Sequence, residues 1–571
     1  MANQSNFTAA LNIFLQKVWT RSSSKNSFNS YWNNIITKDP LLESVYLTID
    51  VIWGGNVRQL ISTSPISTVS EKNSKTYNYL PLLQGEPSIN SEYSMGNAAP
   101  SQRSLTITFD GREINPMQVV LSGDALAGFA ELSLQVDNGD YDKRYVLMRG
   151  DMSGGVSFAE KEQPVTTDIV DPSYTSDAIM PSGIATKEEI PTLPDSSVGK
   201  RYPLIFDSYP LVPCIRMSEF EFGPSFVACS GRDHTVTKVY INGNLKEPTD
   251  EYRGYSLKNG FDNKNNPILI IEFVTTSELW ESGDTVYAEI ERLDKKERPL
   301  LEIIREIIIK SSLLNEVSLD EQLFFRAQTK LVKMYPKCLV NGSGSSNTTR
   351  ALEYIQKTLL SDFPMVSMTF TGRGYGPIVT DRRSEIIVMD LIARQSHLYD
   401  RVSEFQESSK TSLKNTFVLK YNYNCITDSY DSISVRNQSN SPLCRISEDM
   451  FGRYDGDVME SVSIFDDKTA NAVLDWLVSH YTLPHYYVEY EGSPALYFQL
   501  LLGDNVYLTD DKLGISQQKS TVTKIEYSRG KVVIGFQIWF LYNNISTSTA
   551  YGSGGEAAAS APLIRIPLIN Q

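Results

Sequence analysis

The chain has 571 residues, 41% of them hydrophobic and 21% charged, a balance that excludes a wholly disordered protein and leaves room for roughly three to five domains. A net charge of −15 with no basic run excludes a protein built to grip nucleic-acid phosphates, which needs clustered Lys and Arg. Five cysteines, Cys214, Cys229, Cys338, Cys425 and Cys444, lack C-x-x-C spacing and read as buried free thiols rather than a disulfide framework or a zinc ribbon.

The opening MANQSNFTAALNIFLQKVW has neither a basic n-region nor a continuous apolar h-region, so no secretory signal is expected, and no apolar run reaches the length of a membrane span. Phe7, Leu11, Phe14, Leu15 and Val18 recur at helical spacing and predict a short amphipathic helix over 7–19. After a Ser/Asn-rich stretch, Val45, Leu47, Ile49 and Val51 alternate with Tyr46, Thr48 and Asp50, the pattern of a strand with one apolar face, and Gly54-Gly55 offers a turn. Further strands are predicted at 104–109, 118–121, 129–136 and 145–148, together a small barrel or sandwich.

From 160 to 199 the composition shifts to Pro, Ser, Thr, Asp and Glu, which reads as a linker or extended arm. A second β-rich block over 202–291 contains KVYINGNL, where Asn242-Gly243 supplies the positive-φ residues of a tight hairpin, and ends in ILIIEFV and TVYAEI. Helices are predicted over 298–314, with Pro299 in the first turn, then behind Thr348 and Thr349 as caps, then after Asp466 and Asp467 up to Pro484. Between the last two lie the β-type runs MVSMTF, EIIVMDLI and NTFVLKYNY. Strands return at 486–490, 496–501, 506–509, 522–527 and 532–540, and Gly283-Asp284 and Gly503-Asp504 both precede an alternating strand. The end joins the spacer GSGGEAAASA to the apolar PLIRIPLINQ, the composition of a docking tail.

The expected fold is therefore mainly β with α+β portions, a multidomain chain in which two small β-barrels bracket a β module and an α+β block. The expected units are a helical arm (1–44), first barrel (45–158), linker (159–200), β module (201–291), α+β block (292–483), C-terminal barrel (484–545) and docking tail (546–571).

Chemistry is sparse. His234, His397, His480 and His485 are the only histidines and none has a metal-ligand spacing; His480 and His485 straddle a helix end at Pro484. Ser230-Gly231-Arg232-Asp233-His234 holds triad residue types, but adjacency gives no triad geometry, and a loop is expected. Gly372-Arg373-Gly374-Tyr375-Gly376 is neither a Walker loop nor a dinucleotide fingerprint and reads as a turn. Asp137, Asp140 and Asp142 lack the EF-hand order and read as turn residues. No residue is assigned a catalytic, cofactor or metal role. The 31 tyrosines against 6 tryptophans suit either subunit interfaces or strands.

The order of blocks resembles phage baseplate or tail-tip hub proteins. YLTIDV, SLTITF and YVLMRGD are similar to strands of the family's N-terminal barrel, and GKRYPLIFDSYPLVPCI resembles its G-K-x-x-P-x-x-F-G-x-x-x-x-V-P stretch through Lys200, Pro203, Phe206, Val212 and Pro213, with Asp207 in place of the usual Gly. VYINGNL and SGDTVYAEI resemble the β module that follows, and TANAVLDWLVSHY with LLLGDNVYLTDDKLGI resembles the C-terminal barrel. The resemblance implies a non-enzymatic structural subunit of the virion, assembled in the host cytoplasm. It implies a homotrimer in which two barrels per subunit form a pseudo-sixfold ring, with a distal tail or tube ring above and a spike or central fibre below. The acidic balance fits a conduit through which DNA passes during ejection without sticking. A peripheral or receptor-binding baseplate protein is the alternative, and a glycan-degrading tail enzyme a further one.

Overall fold

A computed structural model describes residues 23–539 apart from 40–41, 53–57, 86, 94–102, 112–127, 153–154, 159–163, 172–178, 219–223, 232, 249–253, 263–264, 274–282, 311–318, 332–333, 343–348, 373, 396 and 529. The helix expected over 7–19, the Gly54-Gly55 turn, the strand at 118–121 and the docking tail lie outside the described residues. The chain is mainly β, and its sheets include one nearly closed barrel and one half-barrel.

In the first sheet the strands Arg58–Ser62, Val45–Ile52, Phe129–Val136, Tyr145–Asp151, Val165–Val170, Ser104–Phe109 and Leu83–Gln84 run in that order, each antiparallel to the next. Leu47, Ile49 and Val51 enter its core with Leu132, Leu147 and Ile169. The other face of Val45–Ile52 is covered too: the hairpin Ile66–Val69/Thr76–Tyr79 folds over it, and the buried Asp50 carboxylate accepts from Tyr79 Oη at 2.8 Å, Tyr141 Oη at 2.6 Å and Arg58. Tyrosine here serves the interior, where its ring fills volume and its hydroxyl satisfies a buried anion.

Two features of this part of the chain go beyond the expected elements. The Ser/Asn-rich stretch is a helix, Ser23–Lys38, whose Trp32 and Ile36 enter the first core. Its polar residues masked the period: among the described side chains Tyr31, Trp32, Ile35 and Ile36 mark the buried side. The segment expected as a linker supplies Val165–Val170, with Val165, Thr167 and Ile169 turned inward, so the first sheet extends past 158. A second short piece, Ile179–Met180, pairs with Thr349–Arg350.

The β module consists of two sheets around one core of Tyr209, Val212, Phe226, Val239, Ile271 and Ile290. One sheet runs Tyr255–Phe261, Pro267–Phe273, Ser225–Ser230, Arg201–Ile205, Leu339–Gly342, and the other Tyr209–Pro213, Val286–Arg292, His234–Ile241, Asn244–Lys246. The tight hairpin forms as expected, with φ of 51° at Asn242 and 80° at Gly243.

In the α+β block the helix Leu300–Lys310 buries Leu300, Leu301, Ile304, Ile307 and Ile308. Helices Glu321–Lys330 and Pro442–Phe451, not anticipated, share that core; Asp320 caps the first by accepting from Gln322 N and Leu323 N, and Ser441 with Pro442 starts the second. The helix over 351–362 contains a π turn at Ile355–Leu359, and it is not capped by Thr349, which is in a strand; Arg350 stands at its start without a side-chain cap, and Thr348 lies outside the described residues. The helix Asp467–Tyr481 begins as expected, Asp466 accepting from Thr469 N at 2.8 Å. Of EIIVMDLI only Asp390–Ile392 is strand.

The last sheet runs Asp390–Ile392, Asn505–Asp510, Ile515–Ser528, Lys531–Ile538, Tyr486–Gly492, Leu398–Arg401. The strand expected at 496–501 is instead a helical turn, Leu496–Gln499: Ser493 starts it by accepting from Leu496 N at 3.0 Å, and Leu496 and Leu500 are buried one turn apart. Its apolar run fits either structure, and the period distinguishes them only over a longer stretch.

Candidate functional site

The feature that organises the molecule is the seam between the first and last sheets. Ile89–Glu92 leaves the first block and pairs antiparallel with Ile515–Ser528, Ile525 opposite Ser91 and Tyr527 opposite Ile89. Beside it, Trp32 stacks on Phe498 at 5.2 Å and meets Tyr145 edge-on at 5.7 Å, while Phe498 and Tyr145 lie 4.5 Å apart. Trp32 Nε1 donates to Lys143 O at 2.7 Å, so the indole is both packed and satisfied. Trp32→Ala is expected to cost about 3–5 kcal/mol, the range for a large buried aromatic, and to raise hydrogen exchange on both sides of the seam; unchanged exchange in 496–499 would mean that the stack carries no load.

The α+β block closes the same seam. Asp504 accepts from Lys330 Nζ at 3.1 Å, from Arg326 and from Leu501 N at 2.8 Å, tying the helix Glu321–Lys330 to the last sheet. Where the three blocks meet, a partly open space of about 50 Å³ is lined by Arg103, Tyr145, Leu323, Thr369 and Tyr497. A space of that size suits a water or two, whereas pockets for small-molecule ligands run to roughly 300–1,000 Å³.

The residues singled out by sequence fall into structural roles. His234 directs Nε2 at Asp207 O, 2.9 Å away, while Ser230 ends a strand and Asp233 offers its carbonyl to Leu293 N; the three side chains form no relay. His397 is exposed. His480 and His485, separated by Pro484, are brought together at 4.9 Å between ring centres and buried. Gly372 and Gly374 flank the turn of the hairpin Val366–Thr371/Gly374–Val379, and Gly372 lies against the backbone of Val146. Asp140 accepts from the N–H groups of Asp142 and Glu71, Asp142 from Ser70 Oγ and Lys72 N, and Asp137 from Ser67 N, which is turn and capping work that fixes the 66–76 hairpin to the 137–143 loop. All five cysteines are free; Cys229, Cys338 and Cys444 are buried, and burial pushes the Cys229 thiol up to about 12. Among the described residues no group of three or more His, Cys, Asp and Glu is placed to hold a metal ion.

One polar cluster had no sequence signal. Asp362 is buried, its carboxyl pushed up to about 6 by that burial, and it accepts from Ser461 Oγ at 2.7 Å and from Ser463 N and Oγ at 3.2 and 2.5 Å. The partners are about a hundred residues apart in sequence, and each serine is 1% exposed or less, so the cluster ties the end of the helix over 351–362 to the connection after the strand Asp455–Glu460 without access to a substrate.

The stretch carrying the family resemblance is also explained. Phe206, Val212 and Pro203 are buried where the chain crosses from Arg201–Ile205 in one sheet to Tyr209–Pro213 in the other. Asp207, in the crossing, is 2% exposed and burial raises its carboxyl above the ordinary range.

Fold and seam together define a mainly β, multi-sheet protein in which a segment of the first block supplies a strand to the last sheet. No protein-family model matches the chain, and no curated protein matches it. Among solved structures it is similar to the prophage MuSo2 43 kDa tail protein from Shewanella oneidensis, with 11% identity over 86% of this chain and 98% of that one and a TM-score of 0.36. It is also similar to the Francisella PdpA-VgrG complex, with 10% identity over 94% of this chain and 58% of that chain and a TM-score of 0.28. Among the described residues no helix is long and apolar enough to cross a membrane.

Proposed function

We propose that the chain is a structural hub subunit of a phage tail tip or baseplate, a homotrimer joining a distal tail or tube ring to a spike or central fibre, with DNA passing through its lumen. The observation that carries this reading is the seam: a ring of two barrels per subunit requires the first and last sheets to stand side by side in one rigid unit, and Ile89–Glu92, a segment of the first block, is a strand of the last sheet through four residue pairs. The short resemblances in sequence point the same way, and the net charge of −15 suits a conduit that repels phosphate. No reaction is assigned to the chain.

Electron microscopy of intact particles labelled on this chain tests the reading, together with the mass of the purified protein. Axial label at the tail tip and three times the chain mass are expected. Label on peripheral fibres would favour a receptor-binding role, and turnover of host polysaccharide would overturn the structural assignment.

A further inference from the structure

Two imidazoles flanking Pro484 meet in the interior. His480, in the last turn of the helix Asp467–Tyr481, stacks on Trp476 at 4.7 Å with the planes 7° apart, and His485 lies 4.9 Å from it. Trp539 closes the box, edge-on to both rings at 5.2 Å from His480 and 4.6 Å from His485. The four side chains are 1–6% exposed. Trp539 is the last described residue, directly after the strand Lys531–Ile538, and it is held by Nε1 donating to Thr521 Oγ1 at 3.0 Å and by its N–H to Lys519 O at 3.2 Å.

The charge around this box is positive. Arg382 lies over the Trp539 ring at 5.7 Å and donates to Ser479 O at 3.1 Å, and Lys519 donates Nζ to Ser384 O. The other titratable groups on the packed elements are Asp467, Lys468, Asp475 and Tyr481 on the helix, Tyr486, Tyr487, Glu489, Tyr490 and Glu491 on the strand Tyr486–Gly492, Lys524, Glu526 and Tyr527 on the strand Ile515–Ser528, Lys531 on the strand Lys531–Ile538, Asp381, Arg383 and Glu385 on the segment bearing Arg382, and Glu407 beside Ser408. Asp381 is engaged by Arg383 at 3.0 Å and Glu407 by Tyr486 Oη at 3.1 Å. Among the described residues, Arg382 is the charged side chain that acts on both imidazoles, and it disfavours a further cation.

We infer that this box is an acid-sensitive latch: protonating the His480–His485 pair drives Trp539 out from between the helix Asp467–Tyr481 and the last sheet. Burial first, then His485 and Arg382, hold His480 well below the ordinary range, and burial first, then Arg382, pushes His485 down to about 4. An opened latch returns the rings to water, where histidine titrates near 6.5. The open form therefore binds protons first: the latch is fully stable above about pH 6.5 and loses stability as pH falls toward about 4. His485 alone raises the opening constant about 30-fold between about pH 8 and about pH 5, and His480 adds to it.

The test uses the full chain. Tryptophan emission, with Trp539→Phe to assign it, and hydrogen exchange of 515–539 corrected for intrinsic rate are followed from pH 8 to 4.5 beside far-ultraviolet circular dichroism. Opening of 531–539 is expected to rise at least tenfold while the dichroism is unchanged, and the His480→Phe/His485→Phe double variant is expected to flatten that rise. Opening that does not increase toward acid, that coincides with loss of the whole fold, or that is equal in the double variant overturns the latch. Should the double variant fail to fold at pH 8, the wild-type exchange profile decides alone, since it needs no substitution.

Discussion

Asp504→Ala is expected to destabilise the chain by about 3–5 kcal/mol, the cost of leaving a buried charge without its counter-ion. The Asp504 side chain is 0% exposed and Lys330 4% exposed, so the ammonium remains in the interior with the Gly503 carbonyl as its remaining partner from this cluster. Burial already lowers the Lys330 pKa, and Asp504 is the group that opposes the shift. Removing it also orphans the Leu501 N–H and leaves Arg326 with its bond to Gln499 O alone from this cluster. Lys330→Met is expected to cost distinctly less, because Asp504 keeps Arg326 and the Leu501 N–H and the Met fills the Lys stem. Urea midpoints of the two variants measure the difference, and exchange of 321–330 and 499–504 locates it. Equal losses would mean that the pair is solvated and that the helix is tied to the sheet by packing alone.

This ion pair shows where sequence reading stops. Gly283-Asp284 and Gly503-Asp504 look alike in sequence, yet Asp284 accepts from Asn242 Nδ2 at 2.5 Å on an exposed turn, while Asp504 is the buried anchor of a helix that starts almost two hundred residues earlier. Strands with alternating burial, such as Ser104–Phe109 and Thr416–Asn424, were legible because one periodic face met the core. Helices were legible where the apolar stripe was wide, as in Leu300–Lys310, and not in Ser23–Lys38, where Trp32 carries much of the contact. Which sheet a strand joins was not legible at all. Ile89–Glu92 is four residues of unremarkable sequence, and its partner is chosen by an edge that the rest of the chain builds. The buried pair His480–His485 could be located by its spacing around Pro484, but Trp539 and Arg382, which give it meaning, come from distant segments.

Gly372 carries the same lesson into a measurable effect. A Cβ there would lie 2.0 Å from Val146 O and 2.6 Å from Leu147 C, so the obstruction is backbone against backbone and no rotamer change relieves it. Its φ is not in the left-handed region, so alanine suffers no conformational penalty and the whole effect comes from prying apart the strand Tyr145–Asp151 and the hairpin Val366–Thr371/Gly374–Val379. Overpacking at such a site costs about 1–3 kcal/mol, and more where both walls are main chain. Gly372→Ala is therefore expected to destabilise by at least that much and to raise exchange in 145–151 and 366–371. Gly283→Ala is the matched control: nothing lies within 4 Å of its Cβ position and its φ carries no strain, so a change within about 0.5 kcal/mol is expected. If Gly372→Ala proves as mild as Gly283→Ala, the two blocks are not in hard contact at this point, and the glycine-rich run is the plain turn that its sequence suggests.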